Sequence, residues 1–362
     1  MAEDQLNIQA LVCPVPHPHD RHILLGHGSG GKMSQNLIKN IFLPPFDNPT
    51  LRAGDDAGVV HIELENGVKE QITDRFAIST DSHVVWPLFF PGGDIGRLSI
   101  CGTVNDVAMM GGIPKFITVG FIIEEGFEIG LLINITKSMK SASEEANVSI
   151  VAGDTKVVQR GKADGLYINT TGVGVIPANI EIGGANAKPG DVVILSGSIG
   201  DHGIAVLGAR GELGFSADVS SDVAPLNSLV QSMLNKCSQI HVLRDPTRGG
   251  LGTSLNEIAQ QSNVCISINE SSIPIKPAVA AACELLGFDP LYVANEGKLI
   301  AILPPEDADV VLHAMQNTRY GEESAIIGNV LTEPSRRVLL KTVIGTTRII
   351  DTPSGEILPR IC

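Results

Sequence analysis

Positive charge is scarce in this chain. Against 40 Asp and Glu it carries 26 Lys and Arg, a formal net charge of −14 over 362 residues. Nucleic-acid binders and proteins held on anionic membranes both need clustered cations, so neither class is expected. Long apolar runs are also missing. None approaches the roughly 18 residues of a membrane span, so no membrane role is expected. The opening MAEDQLNIQALVCPVP is acidic and lacks the basic and apolar regions of a secretion signal. The six cysteines, at 13, 101, 237, 265, 283 and 362, form no CxxC pair. Several fall inside apolar runs, as buried free thiols do. A reducing, cytoplasmic setting is the expectation.

What is present is a length suited to two domains and a hydrophobic content of 43%. Residues 1–22 read as a Pro/His-rich flexible arm. Cys13, His17, His19, His22 and the following His27 could suit a soft metal, but their irregular spacing and the prolines favour a solvated arm. From residue 23 strands and helices alternate. AISTDS (77–82), KFITVGFII (115–123), VSIVAGDT (148–155) and LYINTTGVGVI (166–176) read as strands. Residues 92–112 read as a helix with Asp94 as a possible N-cap. Over 127–146 a helical face is expected to carry Ile129, Leu132, Ile133 and Met139. GGANAKPGD (183–191) interrupts the pattern, which places the domain join at 176–190. The expected units are 23–176, then 177–345, then a terminal strand and mobile tail over 346–362. The pattern is α/β in both halves.

The tail DTPSGEILPRIC holds two prolines and a glycine and is expected neither to form a helix nor to pack. Its eleven residues after Asp351 span roughly 36–40 Å when extended. Cys362 could therefore reach a distant site. GHGSGGK (26–32) fits most of a P-loop, but Met33 stands where a hydroxyl is needed. Two readings stay open: a flexible turn before a helix, or a Gly-rich flap in which Gly28, Gly30, Gly31 and Lys32 cover phosphates.

Carboxylates recur at the ends of β-like runs: Asp55 and Asp56, Asp81, Asp106 and Asp154. One such Asp is ordinarily a turn or a cap. Several, flanked by Gly, Ser, Thr or Asn, suit Mg²⁺ bridged to nucleotide phosphates. No His or Cys lies among them, which disfavours zinc and iron. GSIGDHG (197–203) departs from the dinucleotide fingerprint and reads as a tight turn. DPTRGGL (245–251) places Arg248 at a helix start, either on the surface or on an anion-binding wall. Asn295-Glu296-Gly297 is either a turn or a way to place a carboxylate in a cleft.

Together GDDAG, STDS, PGGDIGRLSICGTVNDVAMMGGIP, VAGDTKVV, SGSIGDHG, DPTRGGL, NEGKL and PRIC resemble the HypE family of hydrogenase maturation, in the aminoimidazole ribonucleotide synthetase-like ATP-binding superfamily. The likeness runs over about residues 23–362. It implies a two-domain α/β synthetase-like fold with a flexible C-terminal tail, and a homodimer formed through strands of the N-terminal domain. It implies ATP and Mg²⁺ held by Asp55 or Asp56, Asp81, Asp106 and Asp154, with Asn105 and Thr155 beside them in matching motifs. The implied reaction is dehydration of an S-carbamoyl group on Cys362 to a thiocyanate. A partner carbamoyltransferase loads the thiol. Iron-binding scaffold proteins accept the cyanide for a nickel–iron hydrogenase. Glu296 is then the candidate base, Lys156 its partner or alternative, and Arg248 an orienting group. The competing readings are another synthetase or kinase of the superfamily, a non-enzymatic thiol carrier, and a metal chaperone using the arm.

Overall fold

The computed structural model describes residues 22–28, 30–61, 75–211, 218–353 and 361–362. Cys13, His17, His19 and Arg360 lie outside this range. A five-stranded sheet runs in the spatial order Gly58–His61, Arg75–His83, Leu166–Val175, Ile113–Glu124 and Ser149–Val158. Only its last pair is parallel. That pair is joined through the helix Ile129–Ala146, because parallel neighbours need a long crossover.

One face of this sheet is covered by the helix Ile95–Met109, whose residues are nearly all buried. Asp94 caps it, accepting from the N–H groups of Gly96 (2.7 Å) and Arg97 (3.2 Å). The helix Ile129–Ala146 packs on it by only part of the face expected, with Met139 buried and Leu132 half-buried. Ile129 and Ile133 are exposed, while Ile135, Met139, Ala142, Ser143 and Ala146 are buried. The stripe is mostly small residues because the helices approach closely. A Cβ on Gly96 would lie 2.5 Å from the Ile135 carbonyl oxygen. The other sheet face is open and carries Ile78, Phe116 and Ile122 exposed.

A seven-stranded sheet runs Thr347–Ile350, Arg337–Lys341, Cys265–Asn269, Ala325–Leu331, Val192–Leu195, Ile300–Leu303 and Val242–Arg244. VVIL and IAIL are buried at every position, as strands covered on both faces must be. One layer packs Asn227–Leu234 and Pro305–Gln316 against the sheet, and Gly250–Gln261 belongs to the opposite core. The first of these cores also takes in Ala77 and Val107–Met110, so it is shared with the first sheet's covering helix. The described cysteines other than Cys362 are buried free thiols.

Candidate active site

Carboxylates from a strand, a helix and three loops come close enough to perturb one another and form a cleft-side cluster. The period-two alternation of Arg75–His83 puts Ser79, Asp81 and His83 on the helix-covered face. Asp106 comes from the covering helix and accepts a 2.5 Å hydrogen bond from the Ser79 hydroxyl. Asp56 lies 3.4 Å from the Arg244 guanidinium, whose other nitrogens bond Glu257 (2.6 Å) and the Gly54 carbonyl (3.0 Å). The neighbouring Asp55 accepts from the Gly184 N–H at 2.7 Å. Asp245 and Glu296 complete the group, both buried.

Burial and mutual repulsion dominate here. Burial, then Asp245, Asp81 and Asp56, push Asp106 well above the ordinary carboxylate range. Burial and Asp56 do the same to Asp245. Asp56 is raised to about 6 by burial, against the pull of Arg244. Glu296 is pushed well up by burial, with Asp245, Asp81 and Asp222 adding to it. Its Oε1 is buried without a hydrogen-bond partner. Among the described residues no three of these groups already form a metal cage. An all-oxygen set that repels itself nevertheless fits a hard cation, which would offset the repulsion.

The chain's end sits in this cleft, which corrects the expectation that the tail does not pack. Ile361 is buried among Val85, Phe90, Val219 and Val223. The Cys362 main-chain oxygen accepts from the Val84 N–H at 3.0 Å. Its thiol is pushed up to about 12 by burial, with Glu296 and Asp81 adding and Arg248 opposing. Cys362 comes first among the groups that raise Arg248 above its ordinary value, ahead of Asp81, Glu296 and Asp106. Arg248 also stands 4.0 Å from Asp81.

Gly30 lies directly on Arg248. Its φ is +77°, and an added Cβ would meet the Arg248 carbonyl oxygen at 3.1 Å. Gly28 ends a short turn and Gly31 precedes the helix Lys32–Leu37. Lys32 is engaged with Asp351 at 3.0 Å, just where the tail leaves its strand. Asn105 is buried and bonded to main chain: its amide donates to the Ala224 carbonyl (3.0 Å) and accepts from the Leu226 N–H (2.7 Å).

Asp154, Thr155 and Lys156 lie elsewhere. They sit on the edge strand Ser149–Val158, every residue of which is exposed up to Val157. Lys156 donates to Asp154 at 2.6 Å, which holds that carboxylate below its usual range. Two strands separate this edge from Asp81, and Asp154 shares its row with Gly120 on the open face. One chain therefore does not bring Asp154 to Asp81. Asp245 was missed in the sequence because DPTRGGL reads locally as a turn, and Arg244 because it merely ends the short strand before it.

Two family models cover most of the described chain: "AIR synthase related protein, N-terminal domain" matches residues 54–176, and "AIR synthase related protein, C-terminal domain" matches 188–341. The "Carbamoyl dehydratase HypE" of Cupriavidus necator is 51% identical over 93% of this chain and 94% of its own. A solved HypE in complex with ATP is 46% identical, with TM-score 0.77 over 94% of this chain and 100% of that one. HypE from a HypE–HypF complex is 47% identical, with TM-score 0.81 over 88% and 99%.

Proposed function

Because the chain belongs to the carbamoyl dehydratase HypE family, we propose that it dehydrates an S-carbamoyl group on Cys362 at the expense of ATP. The observation that carries this reading is the seat of Cys362, beside Arg248 and Glu296 in the carboxylate-lined cleft. The carbamoyl oxygen takes the γ-phosphoryl group of ATP and becomes a leaving group. Its C–O bond then breaks as phosphate departs. Two N–H protons leave in all, and a thiocyanate remains on sulfur. The cyanide is next transferred to iron on a scaffold protein, for a nickel–iron hydrogenase.

Each step needs a group of this chain. Glu296 takes a proton from the carbamoyl nitrogen. Its unpartnered Oε1 leaves it an acceptor to spare. Arg248 orients the cargo and offsets charge on the phosphoryl group. Asp56, Asp81 and Asp106 would hold Mg²⁺, which supplies positive charge at the nucleotide phosphates. Gly30, pressed on Arg248, would help to cover the phosphates together with Gly28, Gly31 and Lys32.

Loading requires a different tail position. A thiol pushed to about 12 is a poor nucleophile at neutral pH. Carbamoylation therefore happens with the tail out of the cleft, on a partner carbamoyltransferase. The carbamoyl thioester carries no charge, so it returns without the burial penalty.

The protein acts as a homodimer. The open sheet face and its edge expose Ile78, Phe116, Ile122, Ile150, Val151 and Val157, more apolar surface than a free edge ordinarily leaves uncovered. A second copy is also what could bring Asp154, Thr155 and Lys156 to a nucleotide that bridges the subunits.

The test weighs the C-terminal peptide after incubation with the carbamoylating partner, then with Mg²⁺–ATP. The expected result is carbamoyl gain, followed by ATP-dependent loss of one water. The Cys362→Ala chain gains nothing. A wild-type peptide that never carries the adduct sinks the assignment.

A further inference from the structure

The docked tail is held at a second point that the chemistry above does not use. His202, fully buried at the start of the helix Asp201–Arg210, meets the Ile361 carbonyl oxygen through Nε2 at 2.5 Å. This peptide oxygen belongs to the residue next to Cys362. A carbonyl can only accept, so Nε2 carries the proton. Nδ1 is then the acceptor, and it faces the Ser221 hydroxyl at 2.8 Å. The Ser221 oxygen accepts in turn from the Val223 N–H at 3.1 Å. One tautomer satisfies every partner. The edge of the Phe90 and His202 ring pair, 5.4 Å between centroids at 88°, fixes the ring's plane. Burial holds His202 below its ordinary value, which keeps the ring neutral.

The partner of the latch is itself rigid. The Ser221 N–H bonds the Pro91 carbonyl at 2.7 Å, and a Cβ on Gly92 would lie 2.6 Å from the Ser221 carbonyl oxygen. The next residue, Asp222, accepts the Glu296 N–H at 3.0 Å. Residues 221–222 thus join the support of the tail to the backbone of the proposed base. Val84 pins the tail from the first domain and His202 from the second. A histidine that served only the core would bond a fixed part of the chain; this one bonds the peptide beside the cargo.

We propose that His202, with its tautomer set by Ser221, is a positioning residue that latches the tail and registers the Cys362 sulfur against Glu296. The latch is read from the docked tail, and its role in turnover rests on the dehydratase reading above.

The experiment measures Cys362 alkylation by iodoacetamide in the full-length, uncarbamoylated protein, resolved by peptide mass. His202→Phe keeps an aromatic ring for the edge-on contact with Phe90 but loses the donor. It should raise the Cys362 rate about tenfold, the equivalent of one lost hydrogen bond. Ser221→Ala should raise it by less, and His202→Gln, which keeps an amide N–H, should restore much of the protection. Cys283 lies in the same core and reports on general loosening. Unchanged Cys362 protection in His202→Phe overturns the latch. So does Cys283 becoming reactive alongside Cys362 in all three variants, because His202 would then be a core strut. In single turnover of the carbamoylated protein, His202→Phe should slow dehydration about tenfold at unchanged ATP dependence. Lost protection in the variant, with no dehydration by the wild type, supports the latch and removes only the dehydratase reading.

Discussion

Glu296 shows how a residue's role depends on what surrounds it. In the sequence NEG is either a turn or a way to place a carboxylate in a cleft. In the fold its carboxyl is buried, unpartnered at Oε1, and faces Asp245, Asp81 and Asp222. A base must be ionised to work. A raised pKa therefore moves the acidic limb of the dehydration rate profile upward. Single-turnover rates of the carbamoylated protein should fall as pH drops through a midpoint well above the ordinary carboxylate value. Glu296→Gln should remove that limb and slow the step by roughly 10²–10⁴-fold. ATP binding measured by calorimetry should survive the change. A variant with wild-type rates would hand the base to another group. Asp245 was the harder residue to find. Asp-Pro begins a turn wherever it occurs, and only its burial beside Asp56 and Arg244 marks it.

At the scale of elements, local pattern located the strands and helices well. KFITVGFII became Ile113–Glu124, and Asp94 does cap its helix. Pattern misled where packing chose small residues over large ones. Of the expected face Met139 is buried, but Ile129 and Ile133 are exposed, and Ala142, Ser143 and Ala146 are buried in addition. The edge strand Ser149–Val158 shows the converse: SIVAGDTKVV reads as a strand, but nothing in it says that both its faces lie bare. Val157 is 68% exposed at this edge. Val157→Glu should cost nothing in the monomer's fold and should break the proposed homodimer. Sedimentation velocity should report a single monomeric species for the variant and a dimer for the wild type. Dimers of equal stability in both would place the subunit contact elsewhere.

At the scale of the whole molecule, the fold brings carboxylates from five separate segments together. Asp106, Asp245 and Glu296 have folded-state values raised above those of the unfolded chain. The sign follows directly. Below the ordinary values the groups are protonated in both states and their contribution is fully present. As pH rises through the raised values, the folded state must ionise groups that repel each other, and stability is lost. The Mg²⁺-free protein should therefore melt at falling temperature as pH climbs from weakly acidic toward neutral. Asp106→Asn keeps an acceptor for Ser79 and removes one charge. It should flatten this slope and raise the neutral-pH Tm by about 2–4 °C. Mg²⁺ should raise the wild-type Tm and move the variant's less. Scanning calorimetry across the pH series decides; parallel slopes would mean that Asp106 is not part of the coupled group.

The amino-acid sequence by itself determined the strands, helices and turns, the two α/β halves, the glycine-rich stretch at 26–32 and the thiol at Cys362. These are set by neighbours along the chain, through side-chain periodicity, capping and turn chemistry. Only the tertiary structure decided which acidic residues meet, because strand order and register are non-local. Alternation places Asp81 inside and Asp154 on the open face, two strands apart, although both end similar motifs. The tail's fate was likewise decided by the fold. Its local sequence favours neither helix nor strand, while a pocket lined from both domains, with His202 and Val84 waiting as donors, supplies the burial and hydrogen bonds that dock its last two residues.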